Sequence, residues 1–221
     1  RNDGYPGFNT PTGCVELKSS IYPDWDEDAL PYFEEPAFGP ATTPKLMETF
    51  PFILTSGARR QEFFHSEHKQ VKSLRQISPF PEIDINPEDA KAKGIEEGDW
   101  VEITSPYGHI RQKAKVTPTI KPGVVHCMHG FWYPEEDGEE PNLYGNWKSN
   151  VNMLMPNSVN AKVGFGNTFK VMICDIKKVD SEGGPNEPDD IFVEKSRLEE
   201  FSVNEAWRPV DAPYDEYKAN N

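Results

Sequence analysis

Between residues 49 and 179 the chain is a succession of short apolar runs bounded by turn residues, and this pattern limits the fold more than any other feature. The runs are "FPFILTS" (50–56), "EIDIN" (82–86), "DWVEITS" (99–105), "HIRQKAKVT" (109–117), "GVVHCMHG" (123–130) and "FKVMICDIKKV" (169–179). Short runs of this kind, rich in β-branched residues and separated by glycine and proline, are typical of β-strands. We therefore predict a mainly β domain over residues 49–179 with one or two short helices.

Two of these segments resemble each other. "IEEGDWVEI" begins at Ile95 and "IKPGVVHCM" begins at Ile120, and each places a glycine three residues after the isoleucine, just before a strand. A repeated turn and strand favours a small closed barrel with pseudo-two-fold symmetry over a sandwich, because a closed barrel leaves no strand edge unpaired.

Local signals predict one helix and one hairpin. In "NPEDAKAKG" (86–94), Asn86 is suited to the N-cap, Pro87 to the first helical position and Gly94 to the left-handed end. The tripeptide "PYG" separates two of the strand runs and predicts a hairpin turn in which Gly108 adopts a positive φ.

The two ends of the chain differ from this central part. Residues 1–48 are rich in proline, glycine and acidic residues without a regular period, so we predict an extended strap that connects to a preceding domain. Its aromatic residues indicate that the strap packs on a partner domain; they are Tyr22, Trp25, Tyr32, Phe33 and Phe38. Residues 180–221 predict an acidic C-terminal extension with one short helix around 193–201.

Composition excludes several classes of protein. The three cysteines, Cys14, Cys127 and Cys174, are isolated, which argues against a disulfide framework and a CxxC metal site. The longest apolar runs are too short to span a bilayer, so we predict no membrane contact by this segment. The formal net charge of -14 argues against nucleic acid as a partner. A targeting signal would precede this segment, so the location stays open between the bacterial periplasm and the cytoplasm.

One stretch is locally basic. Within "LTSGARRQEFFHSEHKQ" (54–70) and the residues that follow, five cations stand against two glutamates. The cations are Arg59, Arg60, Lys69, Lys72 and Arg75. A compact basic turn with a small Ser-Gly-Ala sequence suits a compact anion such as a pyrophosphate, whereas a solvated charged helix is the alternative explanation of the same residues.

Six motifs, in order, resemble one family. They are "GFNTPTGCVEL" (7–17), "DALPYFEEP" (28–36), "FPFILTSGARRQEFFHS" (50–66), "EIDINPEDAKAKGIEEGDWVEITSPYGHIRQKAKVT" (82–117), "IKPGVVHCMHGFWYPE" (120–135) and "SNVNML" (149–154). Together they resemble the C-terminal part of molybdopterin oxidoreductases of the dimethyl-sulfoxide-reductase family. The sequences of the segments "GARRQEFFHSEH" and "HGFWYPE" are most similar to the branch with acetylene hydratase, pyrogallol transhydroxylase and the polysulfide or thiosulfate reductases.

The resemblance implies a double-psi β-barrel that binds a molybdopterin dinucleotide. In such enzymes the barrel holds bis(molybdopterin guanine dinucleotide) with molybdenum or tungsten, while upstream domains of the same polypeptide supply the metal ligand and the substrate pocket. It further implies an iron-sulfur cluster in an upstream domain and an iron-sulfur electron-transfer subunit as a partner. On this interpretation the 221 residues alone are not an active enzyme and contain no catalytic residue or protein ligand to the metal.

Matched position by position, the resemblance implies cofactor contacts in both halves of the barrel. They are Ser56, Gly57, Arg59, His65, Ser66, Arg75, His129, Gly130, Trp132, Asn152 and Lys170. Both His65 and Arg75 also have an explanation without a cofactor. His65 could be an ordinary half-buried histidine, and Arg75 could be a surface residue on a short helix. A zinc site at His126, Cys127 and His129 is disfavoured, because adjacent residues of a strand point to opposite faces.

The sequence departs from the family pattern in places, and other functions compete. Cys14 stands where the family usually has lysine, residues 156–167 differ from the usual loop, and the acidic tail is longer than the family needs. A self-processing decarboxylase barrel requires a Gly-Ser pair, which this sequence lacks. A stand-alone double-psi barrel that binds proteins or peptides remains the alternative function.

Overall fold

A computed structural model of the chain describes residues 2–57, 59–156 and 172–180. The chain forms two compact units, one up to Glu35 and one from Pro36. The first unit is held by local turns, such as the bond from Phe8 N to Gly13 O (2.9 Å), and by a 3-10 helix, Tyr22–Trp25. None of its described residues is buried.

The second unit is built around six strands. Their bounds are β1 Phe52–Ser56, β2 Glu82–Ile85, β3 Trp100–Ser105, β4 Gly108–Val116, β5 Val124–Cys127 and β6 Met172–Val179. Five of them fall within a run that the sequence predicts as a strand, and β4 begins one residue before its predicted run. They form a closed barrel in the order β1, β5, β2, β4, β3, β6, which confirms the predicted fold class.

The strand pairing determines which loops leave the barrel at the same end. Strand β1 pairs with β5 in parallel, from Ile53 opposite Val124 to Ser56 opposite Cys127, and β2 pairs with β4 in parallel. The other neighbours are antiparallel. Because β1 and β5 run in the same direction, the loops that follow them leave the barrel at the same end.

Alternating side chains fill the barrel. The inward positions are buried aliphatic residues and the two buried cysteines, and they include Leu54, Ile83, Ile85, Val101, Ile103, Ile110, Val125, Cys127, Cys174 and Ile176. Burial raises the pKa of the Cys127 and Cys174 thiols, so both stay protonated and unreactive at neutral pH. Phe38 and Leu46 also lie in this core, so the part of the predicted strap from Pro36 onward packs on the barrel.

Short helices connect the strands. They are α1 Pro44–Thr49, α2 Lys72–Arg75, α3 Pro87–Lys93 and α4 Asn146–Ser149, together with 3-10 helices at Leu143–Gly145 and Val151–Leu154. Helix α3 is the predicted one. The Asn86 side chain accepts a hydrogen bond from Glu88 N (2.9 Å), and Gly94 ends the helix at φ 65°.

The two repeated turns share one backbone geometry, whereas the hairpin differs from the prediction. Gly98 and Gly123 adopt φ 80° and 77° shortly before β3 and β5. Gly108 does not adopt a positive φ, because it already belongs to β4 and pairs with Ser105. The turn is made by Pro106 and Tyr107, and the Ser105 hydroxyl accepts a hydrogen bond from Tyr107 N (3.1 Å).

Candidate functional site

Two loops meet at the carboxyl end of the parallel pair β1 and β5. We call the segment 57–71 the first loop and the segment 128–135 the second loop. They contain eight of the eleven residues that the family resemblance implies as cofactor contacts, if Ser56 at the end of β1 is included. The parallel register therefore brings together motifs that lie about seventy residues apart in the sequence.

The first loop begins with an open backbone turn. Ser56 is buried at the end of β1, and Gly57 is exposed at φ 104°. Apart from its chain neighbours, no heavy atom of the described residues lies within 4 Å of the position that a Cβ atom at residue 57 would occupy. A glycine of this kind lets the main chain approach a ligand closely. Arg59 is exposed just beyond this turn, whereas Ala58 lies outside the described residues.

The two loops are held together by close contacts at Ser66. A Cβ atom at Gly130 would lie 3.0 Å from Ser66 Cβ, and Gly130 itself has φ 61°. The Trp132 indole donates a hydrogen bond from Nε1 to Ser66 O (2.6 Å). The ring centroids of His65 and His129 lie 6.2 Å apart. The loops therefore bring two imidazoles together, with their ring planes at 84° to each other.

Arg75 of α2 braces the second loop. Its guanidinium donates to Pro79 O (2.8 Å), to Trp132 O (3.4 Å) and to the Glu135 carboxylate (3.1 Å). It also lies 4.6 Å from the centroid of the Phe131 ring. These contacts position Trp132 and Phe131.

Buried side chains of the two loops form a small, mainly aromatic cluster. Its members are Phe63, Met128, Phe131 and Tyr133, with Leu74 packed against them. Lys69 is fully buried in this cluster, with Nζ 4.5 Å from the Phe63 ring centroid and 5.5 Å from that of Phe131. Burial, with a smaller effect from Arg75, lowers the pKa of Lys69 to about 8. From the sequence, Lys69 is recognised only as a cation of the basic stretch and not as a site residue.

A buried polar network supports the second loop from the barrel side. Gln112 of β4 donates from Nε2 to Met128 O (2.8 Å) and to Ser149 O (3.0 Å), and its Oε1 accepts from Met128 N (3.2 Å). The Tyr133 and Ser149 hydroxyls are 2.8 Å apart. Gln112 was not predicted as a site residue, although its position between Ile110 and Ala114 in the alternating strand β4 is an inward one.

The remaining predicted residues are placed differently. Asn152 is exposed on the 3-10 helix Val151–Leu154, which packs against β4. Lys170 lies outside the described residues, as do the predicted short helix of the tail and the divergent loop at residues 157–167. Asn152 is thus carried by an element that neighbours β4.

The geometry around His126 bears on the zinc hypothesis. His126 is half-buried with Nδ1 3.0 Å from the Thr55 hydroxyl, whereas Cys127 points into the core. The pKa of His126 is lowered by burial, against the opposing effect of Asp84. Across residues 2–57, 59–156 and 172–180, no three side chains of histidine, cysteine, aspartate or glutamate cluster as a metal site. The same ranges contain no helix long and apolar enough to cross a membrane.

Known proteins match both the sequence and the fold. A family model described as "Molydopterin dinucleotide binding domain" matches residues 52–173. Dopamine dehydroxylase of Eggerthella lenta is 39% identical over 137 residues, which are 60% of this chain and 13% of that protein. Acetylene hydratase of Syntrophotalea acetylenica is 33% identical over 132 residues, which are 60% of this chain and 18% of the relative.

Further comparisons agree. Dimethyl sulfoxide reductase DmsA of Escherichia coli is 35% identical over 136 residues, covering 57% of this chain and 16% of that protein. The solved structure of acetylene hydratase from Pelobacter acetylenicus superposes with a TM-score of 0.71 at 27% identity, covering 81% of this chain and 25% of that one. The chain thus spans less than a fifth of the length of these three curated relatives. With the family model matching more than half of its residues, the chain belongs to the molybdopterin dinucleotide-binding domain family.

Proposed function

We propose that this chain holds the dinucleotide of a bis(molybdopterin guanine dinucleotide) cofactor within a larger molybdenum or tungsten oxidoreductase. The observation that carries the proposal is the open turn at Gly57, where the main chain leaves β1 at φ 104° with no atom in the place of a side chain. Backbone donors next to such a glycine, together with the exposed Arg59, suit a pyrophosphate group. When bound, the cofactor supplies the metal and the redox chemistry.

The residues of the chain bind and orient that cofactor. Ser56, Gly57 and Arg59 would meet the phosphate groups. His65, Ser66, His129, Gly130 and Trp132 form the surface where the two loops join, and Arg75 keeps Trp132 in place through its carbonyl oxygen. Asn152 and Lys170 complete the set that we assign to the cofactor from the family pattern.

The rest of the enzyme would come from segments that precede this one. Residues 2–35 of the strap expose many apolar side chains, and none of them is buried. This suits a surface covered by a preceding domain. The exposed residues are Tyr5, Phe8, Val15, Leu17, Ile21, Tyr22, Trp25, Leu30, Tyr32 and Phe33. Such preceding domains would supply the metal ligand, the substrate pocket and an iron-sulfur cluster, with an electron-transfer subunit as a partner.

Guanine nucleotide binding tests the proposal on the 221-residue chain. GDP at ten times its dissociation constant stabilises a folded protein by about 1.4 kcal/mol, which raises the melting temperature by about 3 to 6 °C in a domain of this size. We expect such a shift with GDP and a smaller one with guanosine, which lacks the phosphates. A barrel that binds peptides, the alternative function, predicts no shift with either compound.

Matched variants locate the binding site. Arg59→Ala should abolish most of the GDP shift, because Arg59 is exposed next to the open turn. Lys121→Ala removes an exposed cation that precedes β5, at the opposite end of that strand, and should leave the shift unchanged. In the full-length enzyme, Arg59→Ala should lower the metal content. An equal loss of the shift in both variants would show a general charge effect and contradict the assignment of Arg59.

A further inference from the structure

Lys69 lies within the two-loop site and is not among the residues assigned to the cofactor above. Its residue is fully buried, and Nζ has no hydrogen-bond partner within the described part of the chain. The groups around the ammonium are the faces of Phe63 and Phe131. A buried ammonium without an acceptor is unfavourable, since aromatic faces replace only part of its hydration.

The surrounding charges do not neutralise it. The other buried lysine of the described residues, Lys148, pairs with Glu136 at 2.5 Å, and the nearby Arg75 pairs with Glu135. No ion pair of this kind involves Lys69 in the described residues. Arg75 adds a second positive charge close by, because it contacts the same Phe131 ring at 4.6 Å.

This excess charge lies close to the contact that joins the two loops. Lys69 belongs to the first loop, three residues after Ser66, and the ring of Phe131 directly follows Gly130. Ser66 and Gly130 form the contact that joins the two loops. The protein as a whole carries a net charge of -14, so a buried positive centre at this point is a local feature of the site.

We propose that the positive charge of Lys69 serves to bind the ligand, and that the phosphate groups of a bound dinucleotide act as its missing counter-ion. This inference rests on the proposed function and extends it to a residue beneath the contact surface. The ammonium group of Lys69 does not have to touch the phosphates to favour their binding. In a protein interior of effective dielectric constant about 20, a unit charge roughly 10 Å away changes an affinity about tenfold.

The test is isothermal titration of the 221-residue chain with inorganic pyrophosphate and with GDP. We expect Lys69→Met, which conserves the length of the side chain, to weaken pyrophosphate binding about tenfold or more. Lys72→Met removes an exposed cation three residues away and is the matched control, with an expected change below about twofold. Lys69→Arg keeps the charge and should restore most of the affinity.

A stability measurement on the same variants separates this role from a structural one. If Lys69 merely supported the loops, Lys69→Met would lose stability together with affinity, and that result would overturn the inference. The inference predicts the opposite combination, a more stable chain that binds pyrophosphate more weakly. Pyrophosphate binding that Lys69→Met leaves intact would also overturn it, while GDP binding in the same experiment would still support the proposed function. If the unmodified chain binds neither compound, the proposed function itself fails and the inference fails with it.

Discussion

Replacing Lys69 by methionine should stabilise the folded chain at pH 7. The ammonium is buried against Phe63 and Phe131, and its pKa is about 8 in the folded state compared with 10.5 for the unperturbed group. A difference of about 2.5 pKa units corresponds to a cost of about 3 kcal/mol for keeping the charge in the folded state. The two cation-π contacts return about 1 to 2 kcal/mol. The net gain expected from Lys69→Met is therefore about 1 to 2 kcal/mol.

The sign of the pH dependence follows from the same numbers. Because the folded pKa lies below the unfolded one, the folded state releases its proton first as the pH rises, and the unfolded state binds more protons between about pH 8 and 10.5. Stability due to Lys69 therefore rises with pH through this interval. The advantage of the methionine variant should be fully present at pH 7 and should shrink toward pH 10.

Urea unfolding followed by circular dichroism at pH 7, 8, 9 and 10 measures this difference. Comparing the unmodified chain with the variant at each pH cancels the titration of the other groups. Lys72→Met serves as the control, since an exposed substitution changes stability by no more than about 0.5 kcal/mol. A methionine variant less stable than the unmodified chain at pH 7, or a difference that stays constant up to pH 10, would refute the reasoning about the buried charge.

Two further substitutions probe the support of the loops. Gly130→Ala should cost about 1 kcal/mol more than Gly94→Ala in urea unfolding, because both glycines have φ near 60° but only residue 130 would place a Cβ atom 3.0 Å from Ser66; equal costs would show that the loops separate freely. Gln112→Leu should cost about 2 to 4 kcal/mol and lower the GDP shift, because it leaves the buried Met128 and Ser149 carbonyl oxygens without the donor that Gln112 supplies, whereas Met128 N keeps its bond to Glu82 O. A cost below about 0.5 kcal/mol for Gln112→Leu would contradict the assigned role.

The strands and the helix could be predicted because their signals are local. Alternation along 100–105 and 108–116 reports a half-buried strand directly, and the Asn86 and Gly94 ends of α3 act through bonds within a few residues. The Gly108 prediction was wrong for a related reason. A two-residue loop turns at Pro106 and Tyr107, which places Gly108 in the strand, and the sequence does not show where the pairing with Ser105 ends.

The site was predicted only where its residues carry a turn signal or a motif. Ser56 and Gly57 follow a strand and were identified, whereas Lys69 looks like any cation in a charged stretch. Its burial depends on Phe131, which lies sixty-two residues away and reaches it only through the parallel pairing of β1 and β5. Such long-range contacts leave no pattern in the sequence near the residue that they bury.

The contrast between the closed barrel and the strap decides how the chain behaves when it is separated from the rest of its polypeptide. All six strands have neighbours on both sides, so the barrel presents no free edge on which another molecule could add a strand. The strap, in contrast, leaves ten large apolar side chains in water. Self-association of the isolated chain at high concentration would then proceed through residues 2–35, and shortening the chain at residue 35 is the direct way to keep it monomeric.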